Sequence, residues 1–269
     1  MDREPIVAGK FYPGTLEGWK KEVAQYLTLD KDTPTQESLL AMLPHAGYIF
    51  SGRVAGKTLA QTELADTVLL LGPNHTGQGS RLSVWPDGKW HLPGTHMEVE
   101  STLAQEILTT DKYFQSDYSG HMFEHSLEVI LPFLWMINNN IQVVPICVAE
   151  PELSTLLRAG ENLASILKNW PNPVSIIVSS DMSHFITSEE AKAKDDLAIQ
   201  AIQQLDPESL YSTVRQNNIS MCGVFPMTLG LQIANELGAS KAKLVEYANA
   251  GDVTGDYNQV VAYAGMLIQ

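Results

Sequence analysis

Val68-Leu69-Leu70-Leu71-Gly72-Pro73-Asn74-His75 is the stretch on which the reading of this chain turns. Four bulky apolar residues bounded by Gly-Pro describe a strand buried on both faces of a sheet. A turn follows, and a histidine sits where the strand's carboxyl end opens into the crevice in which α/β sheets place their ligands. Two other stretches repeat the pattern. Ser38 to Leu43 runs into Pro44-His45-Ala46-Gly47-Tyr48, and Pro173 to Ser180 runs into Asp181-Met182-Ser183-His184-Phe185. Three buried strands thus each deliver a histidine at the same kind of end.

Around these strands the apolar spacing alternates between the two periods. Residues 5–14 read as a short ordered arm ending in a Pro-Gly turn. Thr15 caps a helix that places Leu16, Trp19, Val23 and Leu27 on one stripe. Residues 28–37 read as a polar surface connection. Helices are expected from about Arg53 to Leu64, from Ser101 as cap to Thr109, and from Glu124 to about Ile137 around Pro132. Further helices are expected at Glu152–Trp170, 188–204, 207–216 and Pro226–Leu237, with strands at Ile141–Val148, Lys243–Ala248 and Val260–Ile268. Residues 76–99, rich in Gly and Pro, read as hairpins laid over the sheet. The alternation predicts an α/β protein, a three-layer α/β/α sandwich, with residues 1–269 forming a single domain.

Composition narrows the function classes. Seventeen Lys and Arg against 31 Asp and Glu give a net charge of -14, which disfavours a nucleic-acid partner. The longest apolar stretch, Val129 to Ile137, is too short to span a membrane and carries Pro132. The charged start of the chain does not resemble a signal peptide, and two cysteines make no disulfide framework. These features predict a cytoplasmic protein with no membrane partner. Neither the oligomeric state nor the small-molecule or peptide ligand is specified by the sequence.

Imidazole is the commonest metal-binding side chain, and a reactive mononuclear site needs about three donors and an open position. His45, His75 and His184 are the candidates delivered by strands. Cys222, just before a helix, reads either as a further donor with a lowered thiol pKa or as a small buried hydrophobe. Asp181 reads as an imidazole-orienting acceptor or as a helix cap, and Glu124-His125 as an acid/base pair or a charged first turn. Cys147, in Val143 to Val148, reads as a core thiol. No GxGxxG, GxxxxGK[ST], GxSxG, HExxH or CxxC is present.

Five motifs, PHAGYIFSG (44–52), LGPNH (71–75), EHSLE (124–128), SSDMSHF (179–185) and MCG (221–223), together with AGKFYP (8–13), resemble the Memo family, also called AmmeMemoRadiSam system protein B. The resemblance runs almost end to end. It implies a fold like that of LigB-type class III extradiol dioxygenases, which are non-haem iron enzymes. Carried over by position, it implies His45, His75 and Cys222 as metal ligands. Asp181 and His184 match pocket residues close to them, and the catalytic candidates are His184 as acid/base steered by Asp181, with His125 lining the pocket. A cysteine where the extradiol enzymes carry a carboxylate points away from catechol ring cleavage. The implied cofactor is Fe(II) or copper, with zinc also suited to a thiolate, and the implied chemistry is redox and dioxygenase-like on an unidentified substrate. The contrasting expectation is a binding module that holds a peptide or small anion in the same pocket without turnover. A third makes Cys222 a metal-free nucleophile paired with His184.

Overall fold

A computed structural model describes residues 1–27 and 35–269. In chain order the elements are α1 (Leu16–Leu27), β1 (Gln36–Glu37), β2 (Leu40–Leu43), α2 (Tyr48–Leu59), β3 (Thr62–Glu63), β4 (Thr67–Pro73), β5 (Leu82–Val84), β6 (Lys89–Leu92), β7 (Thr95–Val99) and α3 (Ser101–Thr110). They continue with β8 (Gln115–Ser116), α4 (Ser119–Met122), a 3-10 turn (Glu128–Ile130), α5 (Leu131–Ile137), β9 (Gln142–Val148), α6 (Leu153–Asn169), β10 (Val174–Ser179) and β11 (His184–Ile186). The last are α7 (Ser188–Gln203), α8 (Pro207–Gln216), α9 (Val224–Glu236), β12 (Ala242–Asn249), α10 (Gly251–Thr254) and β13 (Val260–Ile268). Among these residues no helix is long and apolar enough to cross a membrane.

The centre of the molecule is four parallel strands in the order β2-β10-β4-β9. All seven residues of β4 are buried. Leu69 and Leu71 face one apolar cluster while Val68 and Leu70 face the other. Strands β2 and β10 divide their residues in the same way, so the sheet separates two cores and its strands read as unbroken apolar runs. Helices α3, α6, α7, α8 and α9 cover one face, and α1, α2 and α5 cover the other, which makes three layers. Each leucine sealed inside contributes about 2 kcal/mol by leaving water. Strand β13 lies antiparallel to β2 and continues the sheet to β11 and β12.

Several boundaries differ from expectation for local physical reasons. Helix α2 starts at Tyr48 and stops at Leu59, because the Phe11 carbonyl accepts from the Tyr48 amide and Gly47 serves as cap. The 76–99 segment does not lie over the sheet: β5 and β7 both bond to β9 and extend its edge. Glu100, not Ser101, caps α3, its carboxylate accepting from the Thr102 amide. Glu124 opens no helix; residues 123–127 have no regular structure before the 3-10 turn. The surface connection expected at 28–37 falls mostly on residues 28–34, outside the described residues; Gln36 and Glu37 pair with β3.

Candidate metal centre

Because β10 lies between β2 and β4, its carboxyl end falls between the loops that carry His45 and His75. Those rings lie 5.3 Å apart, centroid to centroid. The third imidazole beside them is His125, 5.5 Å from His45 and stacked on His75 at 4.8 Å. The three offer nitrogen atoms that all lie within 4.8 Å of one another. His125 arrives from the irregular 123–127 segment, which can approach because Gly72, near the carboxyl end of β4, has no side chain. A Cβ there would stand 2.5 Å from Leu127.

His184 does not join them. The chain leaves β10 through buried Asp181, Met182 and Ser183, then enters β11, whose pairing with β13 carries His184 aside. Its Nδ1 lies 3.0 Å from the Ser220 carbonyl, and its amide donates to Ser220 Oγ. No helix starts at Asp181, so that residue is not a cap. Its carboxylate accepts from the His45 amide at 2.8 Å, holding the loop rather than an imidazole. Burial pushes the Asp181 carboxyl up, against the His45 bond and the charges of the neighbouring histidines.

Partners on the far side of two rings fix their proton positions. Ser179 Oγ donates to the Ser126 carbonyl at 2.7 Å, so it accepts from His45 Nδ1, also at 2.7 Å. That leaves the His45 Nε2 lone pair directed inward, 3.4 Å from Cys222 Sγ. Burial, followed by the charges of His75 and His125, holds His45 well below the usual imidazole pKa, so it is neutral. The Glu124 carboxylate accepts from His75 Nδ1 at 2.9 Å and from the amides of His75, His125 and Ser126. Burial pushes Glu124 up, but the His75 bond and charge with those amides outweigh it and bring it to about 2. An ionised Glu124 only accepts, so His75 Nδ1 carries hydrogen and Nε2 is its ligand atom. Burial lowers the pKa of His75, yet the bond to Glu124 and its charge overcome this and raise it. For His125 burial prevails over the Glu124 charge and lowers it.

Cys222 lies beside the cluster. The Asp181 amide donates to its sulfur at 3.2 Å, and Gly223 lets it come close, since a Cβ there would stand 2.3 Å from Ser180. The expected lowering of its pKa by helix α9 does not occur: burial first, then the Asp181 charge, push the thiol well up. As a neutral thiol it can donate to His45 Nε2 at 3.4 Å or to the Asp181 carbonyl at 3.7 Å. A hydrogen-bond partnership of Cys222 with His184 is absent among the described residues.

The donor set fits a borderline metal ion. Two imidazoles with outward partners, a third imidazole, and a thiol that a metal can deprotonate form a group that could hold a metal ion. Binding would displace the proton favoured on His75, so affinity rises with pH. The sequence signal for Glu124 was present in EHSLE; its role in fixing His75 was not, because that contact joins residues 49 positions apart. Ser179 gave no signal beyond ending a strand.

The family profile described as "Memo-like protein" matches residues 3–267. A "MEMO1 family protein" of Aquifex aeolicus is 41% identical over 266 residues, covering 98% of each chain. One from Methanosarcina barkeri is 37% identical and covers 99% of this chain and 100% of its own. An uncharacterized Escherichia coli K12 protein, JW3007, shares the fold at a TM-score of 0.55 with 11% identity, over 85% of this chain and 98% of that one. With the profile and both relatives matched over nearly the whole length, this chain belongs to the Memo family.

Proposed function

We propose that the pocket holds one metal ion on His45 and His75, with His125 and Cys222 beside them to complete the site. Fe(II) or copper is the proposed occupant, and zinc suits the same donors. When bound, the metal supplies an open position for dioxygen or substrate and the redox capacity for oxidoreductase chemistry of the dioxygenase-like kind on a small molecule. The chain's own residues orient and exclude. Glu124 and Ser179 aim two imidazoles inward, the Asp181 amide stabilises negative charge on Cys222 sulfur while its buried carboxylate holds the His45 loop, and His184 stands by to the side as a proton carrier. The observation that carries this reading is the convergence of three imidazole nitrogens within 4.8 Å.

Metal content of anaerobically purified, untagged protein tests it, alongside His75→Ala, His125→Ala and Cys222→Ser. Near-stoichiometric iron or copper in the parent and its loss in His75→Ala is the expected result. The other two variants separate the third ligand: whichever loses metal is bound to it. A parent that takes up neither metal after reconstitution overturns the reading and leaves a pocket for a peptide or small anion.

A further inference from the structure

The segment that carries Glu124 and His125 is itself neither helix nor strand, yet it supplies one of the three clustered imidazoles and the carboxylate that holds a second. Arg3 ties it to the elements on either side. Arg3, fully buried, donates from Nε to the His121 carbonyl at 3.0 Å and from Nη2 to the Glu124 carbonyl at 2.6 Å. Its Nη1 meets Glu128 at 2.8 Å, and its guanidinium lies 4.3 Å over the Trp90 ring. Glu128, equally buried, also accepts from the amides of Ile6 and Val7 and from the Tyr12 hydroxyl. Beyond these anchors, the Phe11 ring stands edge-on against His125 at 5.0 Å, and its carbonyl receives the Tyr48 amide just after the His45 loop.

We infer that the amino-terminal arm, residues 3–12, is a positioning device for the histidine cluster, with Arg3 and Glu128 as its anchor and Phe11 as its contact with the ring. A buried ion pair adds little stability over apolar residues of the same volume, so stability alone does not account for the pair. What a guanidinium does that an apolar side chain cannot is hold the His121 carbonyl of α4, the Glu124 carbonyl and the Glu128 carboxylate of the 3-10 turn in fixed relation, bracketing the irregular segment. Arg3 and Glu128 thereby set where the Glu124 carboxylate and the His125 ring stand, and Glu124 in turn sets the His75 tautomer. The arm makes a second contact at Tyr48, so one short segment registers the His125 loop against the His45 loop.

This inference rests on the histidine cluster being the working site, and its test has one arm that needs no metal. Full-length parent, Arg3→Met, Arg3→Lys and Phe11→Ala are compared with Leu156→Ala, a core truncation in α6 on the opposite face of the sheet. Imidazole nitrogen NMR of the metal-free proteins reads the tautomers and ring environments; cobalt(II) titration reads affinity by its visible spectrum. Arg3→Met is expected to shift the His75 and His125 ring signals and weaken cobalt(II) at least tenfold. Arg3→Lys, which keeps charge but not the fork, falls between. Phe11→Ala shifts His125 with a smaller effect on His75. Leu156→Ala leaves rings and affinity unchanged even where its Tm falls as far. Unchanged ring signals in folded Arg3→Met overturn the inference, as does an equal loss of affinity in Leu156→Ala. A parent that binds no cobalt(II) counts against the metal reading alone, and the ring signals then decide the arm's role.

Discussion

The molecule contains the same pair of side chains twice, and only one copy belongs to the site. In the core, Cys147 sulfur lies 3.3 Å from His121 Nδ1; in the pocket, Cys222 sulfur lies 3.4 Å from His45 Nε2. In the core pair every valence is used. His121 Nε2 donates to the Ser83 carbonyl at 2.9 Å, so Nδ1 accepts the Cys147 hydrogen. Burial first, with the Arg3 charge adding to it, brings His121 down to about 4. Trp85 and Trp90 pack edge-on around the ring. In the pocket pair the same bond leaves two further imidazoles with inward nitrogens beside it. A cysteine–histidine contact is therefore not a site; further donors converging beside it make one.

Truncating each histidine in turn breaks the comparison most sharply. His45→Ala is expected to lower metal affinity by two orders of magnitude or more, well beyond the 10–100-fold typical of an outer partner. His121→Ala should leave metal content intact and cost about 3 kcal/mol of stability, as for other large buried truncations. Equilibrium metal titration and urea denaturation of both variants check this. If His121→Ala also empties the site, the two pairs are not independent.

Acid titration separates them by pH. His121 is held neutral at a folded pKa of about 4, below the 6.5 of the unfolded chain. The unfolded state therefore binds the extra proton, and about 3 kcal/mol of stability is lost as pH falls from 6.5 to 4. Glu124 sits at about 2 against 4.5 unfolded, so its contribution is present above 4.5 and lost as pH falls toward 2. Unfolding free energy against pH should fall in two successive windows. His121→Phe should shrink the upper one, to which the depressed His45 and His125 also contribute, and Glu124→Gln the lower. A parent curve flat between pH 6.5 and 4 would contradict the core pair's neutrality.

Glu124→Gln sharpens the comparison further. A neutral amide in place of the carboxylate removes the constraint on the His75 tautomer and should weaken metal binding 10- to 100-fold with the fold retained. The smallest effect is kinetic. In native metal-free protein Cys222, partly accessible, should react with a thiol reagent before Cys147, which reacts only on unfolding. Peptide mapping after timed labelling distinguishes them, and a sealed Cys222 would fail the expectation.

The sequence made the sheet legible because its strands are buried on both faces. Leu69 and Leu71 face one core, Val68 and Leu70 the other, so the run stays apolar throughout. Helix ends were less legible where tertiary bonds set them, as at Tyr48, held by the carbonyl of distant Phe11. Two of the three clustered histidines, His45 and His75, were visible as strand-end residues. His184 shared that local pattern, but it opens β11, a strand that pairs away toward β13. His125 carried only the motif EHSLE. Its place depends on Arg3, Glu128 and the missing side chain of Gly72, contacts that no local spacing encodes.

The pairing of β2 with β13 has a consequence in time. Met42 is registered with Met266, and His45 meets a sulfur 177 residues later in the chain. Contacts of such long range form late and slowly. A chain emerging from the ribosome therefore carries β2 with an open edge, and His45 and His75 without Cys222, for most of its synthesis. On the proposed reading the full donor set exists only once Cys222 has folded into place, which makes metal loading a late step of assembly rather than a nucleus for it.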